Sequence, residues 1–368
     1  MDVAIFGAGI AGLMAGITLH AQGHHCRIYE RTFENVETGM GFILMPEGID
    51  CMKSFGVQLT GDLSGVPLLR YCCRNEAGQI LHEQTLPAGT RSFQRRDLIA
   101  ALLRALPSSG TVTFGTELES LEFNETGCVA AARLKSGKSG TRTKAGLYVA
   151  AEGVRSKARQ ALFPDWDAPQ ARVLEIVGLV RCDNTIRWAG HDFNKFHASS
   201  GGIALGVLPV AAHHVVWYLQ FDAERFPPPG ENAAARRAFV KKLTDEWADP
   251  VPHLLAMTDF SRVHVWRPID TDLVPHFHQC NLVLAGDAAH PLLPFTSQGV
   301  SSAIADAVAL ANLVRSSVRR EDDLAQALAR YSAERHQQCA PYIAKGRELA
   351  RRFLAPLDSS TEVLPWVQ

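Results

Sequence analysis

The chain has 368 residues, 46% hydrophobic and 20% charged, a composition of ordinary globular type and a length that suits two domains or one domain with a large insertion. A formal net charge of −1 supplies no field to draw nucleic acid or an anionic membrane. No apolar stretch reaches the roughly 20 residues of a spanning helix, so neither nucleic acid nor membrane insertion is expected, and a small-molecule substrate is the expected partner. A strand pattern starts at Met1 with no basic and apolar leader before it. The eight cysteines are scattered without a C-x-x-C. The chain therefore reads as cytoplasmic and large enough to manage without disulfides; the sequence leaves monomer and homodimer both open.

In chain order, residues 2–6 read as a buried parallel strand, 10–22 as a helix and 25–29 as a second strand, which together make a βαβ unit. A short helix is expected over 49–55. Stretches 68–74 and 80–84 flank Asn75-Glu76-Ala77-Gly78 and read as a hairpin. A helix over 96–106 stops before Pro107, and strands are expected at 112–115, 118–124, 128–134 and 146–151. From about 164 to 270 the character changes. Strands at 173–182, 202–209 and 214–221 suit an antiparallel sheet, followed by an amphipathic helix at 233–247 and a strand at 262–267. Residues 301–336 are helical with Ala-rich faces, and 345–353 form a basic helical stretch. The predicted class is α/β. It comprises a discontinuous Rossmann-like cofactor domain (1–70, 91–163 and 271–368, with the C-terminal helices) and an inserted antiparallel β-sheet substrate domain (71–90 and 164–270).

Two motifs carry the chemistry. In Gly7-Ala8-Gly9-Ile10-Ala11-Gly12 the first glycine permits a tight turn and the second lets backbone approach a pyrophosphate. The third allows close helix–strand packing, and the helix start offers its N–H groups. Gly7, Gly9, Ile10, Ala11 and Gly12 are the expected pyrophosphate contacts. Glu30, ending the second strand, is placed to accept from ribose hydroxyls, with Arg31 beside it. Almost a chain length later, Leu282-Val283-Leu284-Ala285-Gly286-Asp287-Ala288-Ala289-His290-Pro291 runs from an apolar strand into a small-residue turn holding one carboxylate.

Gly286 to Pro291 resembles the motif of the flavoprotein aromatic hydroxylases, the single-component (group A) FAD monooxygenases similar to p-hydroxybenzoate hydroxylase. The resemblance implies that FAD is the cofactor, with Gly286 and Asp287 at its ribityl chain. It implies that Pro294-Phe295-Thr296-Ser297-Gln298-Gly299-Val300-Ser301 runs beside the isoalloxazine ring, with Pro294, Gly299 and Val300 as contacts, where backbone N–H groups and a helix start near Ser301 would stabilise negative charge on reduced flavin. Asp306 matches a further family position, suited to fixing the turn or to serving FAD. Arg96 matches an arginine near the FAD diphosphate, with Arg95 its competitor, and Gly39-Met40-Gly41 resembles a segment near the flavin ring, with Gly41 a contact. Residues 150–159 match a segment tied to FAD and NAD(P)H binding, with Glu152 in place of the family's Asp. Ser297 and Ser301 replace the family's usual Gly and Asn.

The implied reaction is hydroxylation or epoxidation of a small aromatic or cyclic substrate, with NADH or NADPH as reductant and O₂ added through a flavin C4a-hydroperoxide. Residues 164–270 show no triad, metal cluster or paired carboxylates, so no catalytic side chain is assigned. Arg181, His197, Trp217 and Tyr218 are candidate pocket residues, and alternation forbids Trp217 and Tyr218 facing the same side. His213-His214 reads as a turn and His290 as structural. Alternatives on the same fold are a reductase or dehydrogenase, a halogenase (echoed only by Trp266-Arg267-Pro268), and a flavin-binding protein without chemistry.

Overall fold

The structure is a computed structural model that describes residues 1–33, 40–108, 110–182, 190–315 and 321–357. Its centre is a six-stranded sheet in the order His278–Gln279, Leu282–Leu284, Leu147–Ala150, Asp2–Phe6, His25–Tyr29 and Thr111–Thr113. All neighbours pair in parallel except the short His278–Gln279 edge. Val3, Ala4 and Ile5 are fully buried, as both faces of a parallel strand must be when helices cover them. Helices Ile10–Ala21 and Gly299–Leu313 lie together on this sheet, tied by Thr18 Oγ1 donating to the Ala307 carbonyl at 3.0 Å.

An antiparallel meander, Thr116–Phe123, Val129–Ser136 and Ser139–Thr143, packs Leu118, Val129 and Leu134 into the same core. Cys128 at its edge is joined to Cys280 in a disulfide across 152 residues, Cα–Cα 5.1 Å, contrary to the expectation that the chain manages without one. Strand packing brings the two together. Asn281, next to Cys280, binds the Val129 backbone from both ends of its amide, at 2.8 and 3.0 Å.

The second large sheet has seven strands in the order His264–Trp266, Val173–Arg181, His214–Asp222, Ile203–Ala211, Asp192–His197, Arg70–Asn75 and Ile80–Thr85. The hairpin 70–85 reaches it by parallel pairing of Arg70–Asn75 with Asp192–His197. That second strand was not anticipated, because DFNKFH alternates too weakly to stand out. One face of the sheet is dry. Leu174, Ile176, Leu205, Trp217, Leu219 and Phe221 pack on Val240 and Leu243 of helix Ala233–Leu243 and Leu254 of helix Val251–Met257. Each such side chain contributes about 1.5–3 kcal/mol of burial. Trp217 spreads over Gly178, where a Cβ would stand 2.6 Å from the ring, and donates to Thr258 Oγ1 at 2.9 Å.

Other boundaries moved. Helix 233–247 ends at Leu243. The 301–336 pattern splits into Gly299–Leu313 and the long helix Glu321–Leu354, which absorbs Pro341 and the basic stretch 345–353. A small sheet of Gly41–Leu44, Arg91–Gln94 and Val66–Pro67, also unforeseen, leads directly into helix Arg95–Ala105.

Candidate functional site

A cavity of about 730 Å³ runs from the glycine turn to the inner face of the seven-stranded sheet. Two glycines of the turn are required by sterics. Gly7 sits at φ +101°, with a Cβ there only 2.3 Å from the Ala151 carbonyl oxygen, and a Cβ on Gly12 would stand 1.9 Å from the Gly7 carbonyl oxygen. Gly9 is different: a Cβ there meets nothing closer than Arg95 Nη2 at 3.7 Å. Its bareness leaves the start of helix Ile10–Ala21 approachable, and that start has no side-chain cap and no acidic residue in its first turn. Gly9, Ile10 and Ala11 line the cavity. Glu30 is pinned by Ala8 N donating to Oε2 at 2.7 Å, and by Thr32 N and Oγ1 donating to Oε1 at 2.8 and 2.9 Å. Arg31 beyond it is exposed.

The two adjacent arginines are placed differently. Arg95 lines the cavity within electrostatic reach of Asp287 and Glu30, and burial pulls its guanidinium down. Arg96 is exposed and pairs with Asp97 at 3.5 Å. Both stand at the start of one helix, and the roughly 100° turn per residue sends adjacent side chains to different faces. Gly41 also lines the cavity, its absent Cβ making room for Val210 at 2.7 Å, whereas Gly39 lies outside the described residues.

The turn at Gly286 is held by Asp306. Fully buried, this carboxylate accepts from Gly286 N at 2.6 Å, His290 Nε2 at 2.7 Å and Arg335 Nε at 2.6 Å. Burial alone would raise its pKa, but His290, Arg335 and the Gly286 N–H bring it below the usual range. Burial would likewise lower the His290 imidazolium, yet Asp306 carries it up to about 10. Asp306 and His290 therefore position the turn, and Gly286, at φ +59°, meets Ala11 so closely that a Cβ would stand 2.8 Å from Ala11 Cβ. Asp287, freed from that duty, presents its side chain to the cavity. Its surroundings push its carboxyl up by desolvation, with Arg95, His290 and Arg159 opposing.

Arg159 is buried behind the turn and donates to the Asp287 and Ala288 carbonyls at 2.9 and 3.0 Å, with Trp166 stacked 4.0 Å from its guanidinium. Burial pulls it down to about 10. Glu152 is turned to local use. It accepts from Ser156 Oγ at 2.5 Å and Lys157 N at 3.0 Å, bracing the start of helix Lys157–Leu162.

The loop 294–300 forms another wall. Ser297 takes the left-handed conformation, φ 52° and ψ 21°, which explains why glycine suits that position. Helix Gly299–Leu313 begins two residues earlier than Ser301, again without a side-chain cap, so Gly299 and Val300 turn its uncapped end to the cavity beside Pro294.

Opposite stands the inner face of the seven-stranded sheet, and register sorts its side chains into rungs. Trp266, Glu175, Gln220, Ala204 and His197 are successive cross-strand partners. So are His264, Val177, Tyr218, Gly206 and Lys195 in the next rung, while Leu208, Val216, Phe193 and Tyr71 make the far end apolar. Tyr218 lies over Gly206, where a Cβ would stand 2.2 Å from the ring. Of the candidate pocket residues, His197 and Tyr218 line the cavity, Trp217 faces the opposite core, and Arg181 is exposed. Residues 212–213 form the turn expected at His213-His214, while His214 itself opens strand His214–Asp222. Sequence reasoning missed Glu175, Gln220 and Lys195. The signal for Glu175 was present: one carboxyl inside the otherwise apolar run VLEIVGLV.

A family profile described as "FAD binding domain" matches residues 1–344. Among curated relatives, the 3-amino-4-hydroxybenzoate 2-monooxygenase PtmB3 of Streptomyces platensis is 27% identical over 96% of this chain and 89% of its own length. The FAD-dependent urate hydroxylase of Klebsiella pneumoniae is 27% identical over 95% and 89%. Among solved structures, Klebsiella pneumoniae HpxO complexed with FAD and uric acid superposes with a TM-score of 0.82 at 24% identity, covering 96% of this chain and 89% of that one. Pseudomonas aeruginosa PqsL in complex with 2-aminobenzoylacetate superposes at 0.79 and 22%, covering 96% of each. The chain belongs to the FAD-binding-domain family of single-component FAD-dependent aromatic hydroxylases and monooxygenases.

Proposed function

We propose that this enzyme hydroxylates a small aromatic or cyclic substrate, using NADH or NADPH and O₂. The observation that carries the reading is one continuous cavity, with nucleotide-binding features along one wall and an aromatic sheet face along the other. The residues fit FAD. Two uncapped helix starts at Ile10 and Gly299 suit a pyrophosphate and an electron-rich ring edge. Gly7, Gly9, Ile10, Ala11 and Gly12 would form the pyrophosphate turn, Glu30 and Arg31 the ribose end, and Gly286, Asp287 and Arg95 the middle, with Gly41, Pro294, Gly299 and Val300 around the ring. Bound FAD supplies the redox chemistry, taking electrons from the nicotinamide and activating O₂.

The chain's own task is to orient and to exclude water. Met40, Ile43, Val177, Leu208 and Val216 give the substrate side an apolar lining in which a reactive oxygen species is shielded. The FAD unit comprises 1–70, 91–163 and 271–368, and the substrate unit 71–90 and 164–270. The compartment is the cytoplasm, and the working unit is a monomer or homodimer. Among the described residues no helix is long and apolar enough to cross a membrane. The relatives' ring substrates support a ring substrate here. The test is to purify the protein, identify FAD in its absorbance spectrum, and screen aromatic compounds for stimulated NADH and NADPH oxidation. A product heavier by one oxygen atom is expected. Turnover that persists without O₂ would move the assignment to a reductase or dehydrogenase.

A further inference from the structure

The polar rung of the sheet is unusual for its surroundings. Glu175 and Gln220 are 5% and 2% exposed, directly paired across Val173–Arg181 and His214–Asp222, and joined by Gln220 Nε2 donating to Glu175 Oε1 at 2.7 Å. With Glu175 ionised, that bond sets the orientation of the amide, and it leaves Gln220 Oε1 buried without a partner. Buried acceptors are normally satisfied, and leaving one unmet carries a cost that a ligand donor can remove. Both side chains line the cavity. The flanking Ala204 is too small to screen them, whereas Tyr218 and Val177 in the next rung offer flat apolar surface.

We propose that Glu175 and Gln220 form the acceptor end of the substrate subsite, and that the substrate is a planar ring system presenting an N–H or O–H donor, not a carboxylate, to them. The inference rests on the proposed hydroxylase reading and names its substrate class. A donor at this rung completes Gln220 Oε1 and shares the Glu175 carboxyl. With Glu175 ionised, a carboxylate there would face two acceptors. Lys195, one rung away, offsets the Glu175 charge and lies 5.6 Å from the centre of the Phe295 ring. Polar sites built around a donor reject analogues that lack it far more strongly than apolar pockets distinguish shapes.

The experiment uses FAD-saturated protein and isosteric pairs differing in one atom, indole against benzofuran and 2-quinolone against coumarin, with benzoate as the anion. Dissociation constants are measured by calorimetry. The N–H member of each pair is expected to bind at least about tenfold more tightly than its oxygen isostere, and benzoate more weakly than either N–H ligand. Gln220→Leu and the volume-conserving Glu175→Gln should each weaken the N–H ligands at least about fivefold while leaving the oxygen isosteres within about twofold. Equal affinities within pairs, tighter benzoate, no binding by either N–H ligand, or discrimination that survives both substitutions overturns the proposal. FAD retention and NAD(P)H oxidation are recorded in the same samples. Their loss in the unsubstituted protein counts against the hydroxylase reading, whereas a negative binding result with both intact counts only against the subsite.

Discussion

Asp306 and Glu175 are both buried carboxyls beside the cavity region, yet their surroundings give them opposite characters. Asp306 accepts from a backbone N–H, an imidazole and a guanidinium, and stays ionised. Glu175 accepts from one neutral amide, and burial pushes it up to about 7, with Gln220 and Lys195 opposing. The number and charge of donors decide whether a buried carboxylate is a fixed clamp or a group that can still gain or lose a proton. The clamp belongs to the turn that presents Asp287 to the cavity. The titratable group belongs to the face where a substrate would lie.

The largest expected effect comes from breaking the clamp. Asp306→Asn leaves Arg335 charged and buried without its carboxylate and removes what holds the His290 proton, so a loss of about 3–5 kcal/mol in unfolding free energy is expected by chemical denaturation. A loss under about 1 kcal/mol would show that the three donors do not act together. Next comes the cavity arginine. Arg95→Met should weaken FAD binding by roughly 10- to 100-fold, as one charge-assisted contact contributes, while Arg96→Met should change it by less than about threefold. Equal effects would return Arg96 to the site.

Glu175 sharpens the contrast through pH. Its folded pKa lies above the unfolded value of 4.5, so the folded state binds the extra proton between pH 4.5 and about 7. Its contribution to stability is therefore full below that window, falls as pH rises through it, and stays lost above. Glu175→Gln should match the unsubstituted protein near pH 4.5 and exceed it at pH 8, by on the order of 3 kcal/mol at most. Melting curves at the two pH values read this directly, and a difference independent of pH would show that Glu175 does not titrate in this range. The smallest effect is expected at Ser297. Ser297→Gly relieves a left-handed residue and should stabilise the loop by about 1 kcal/mol. A destabilised variant would mean that the serine side chain makes a compensating contact.

Much of the cofactor side was legible because its motifs are local. The glycines of 7–12 are dictated by a turn a few residues long, and strand 2–6 declares itself by unbroken apolarity. A structural position for His290 came from the family resemblance, which left Asp306 open between fixing the turn and serving FAD; the hydrogen bond between them, 16 residues apart, is made by the fold. Arg95 against Arg96 was not legible, because a one-residue difference in helix phase depends on where the helix begins. Strand Asp192–His197 was hidden by weak alternation, and its pairing with residues 70–75 is invisible in chain order.

The sequence alone determined the nucleotide turn, the alternation that separates Trp217 from Tyr218, and the family to which the flavin motif belongs, since each depends on residues close together in the chain. Only the tertiary structure decided what Glu175 means. Its character comes from Gln220, 45 residues away, and from Lys195 on a third strand, brought side by side by sheet register. It decided likewise that Cys128 meets Cys280, and that Glu152 is committed to bracing its own turn. Burial and neighbouring charge set the chemistry of an ionisable group, and both belong to the assembled fold.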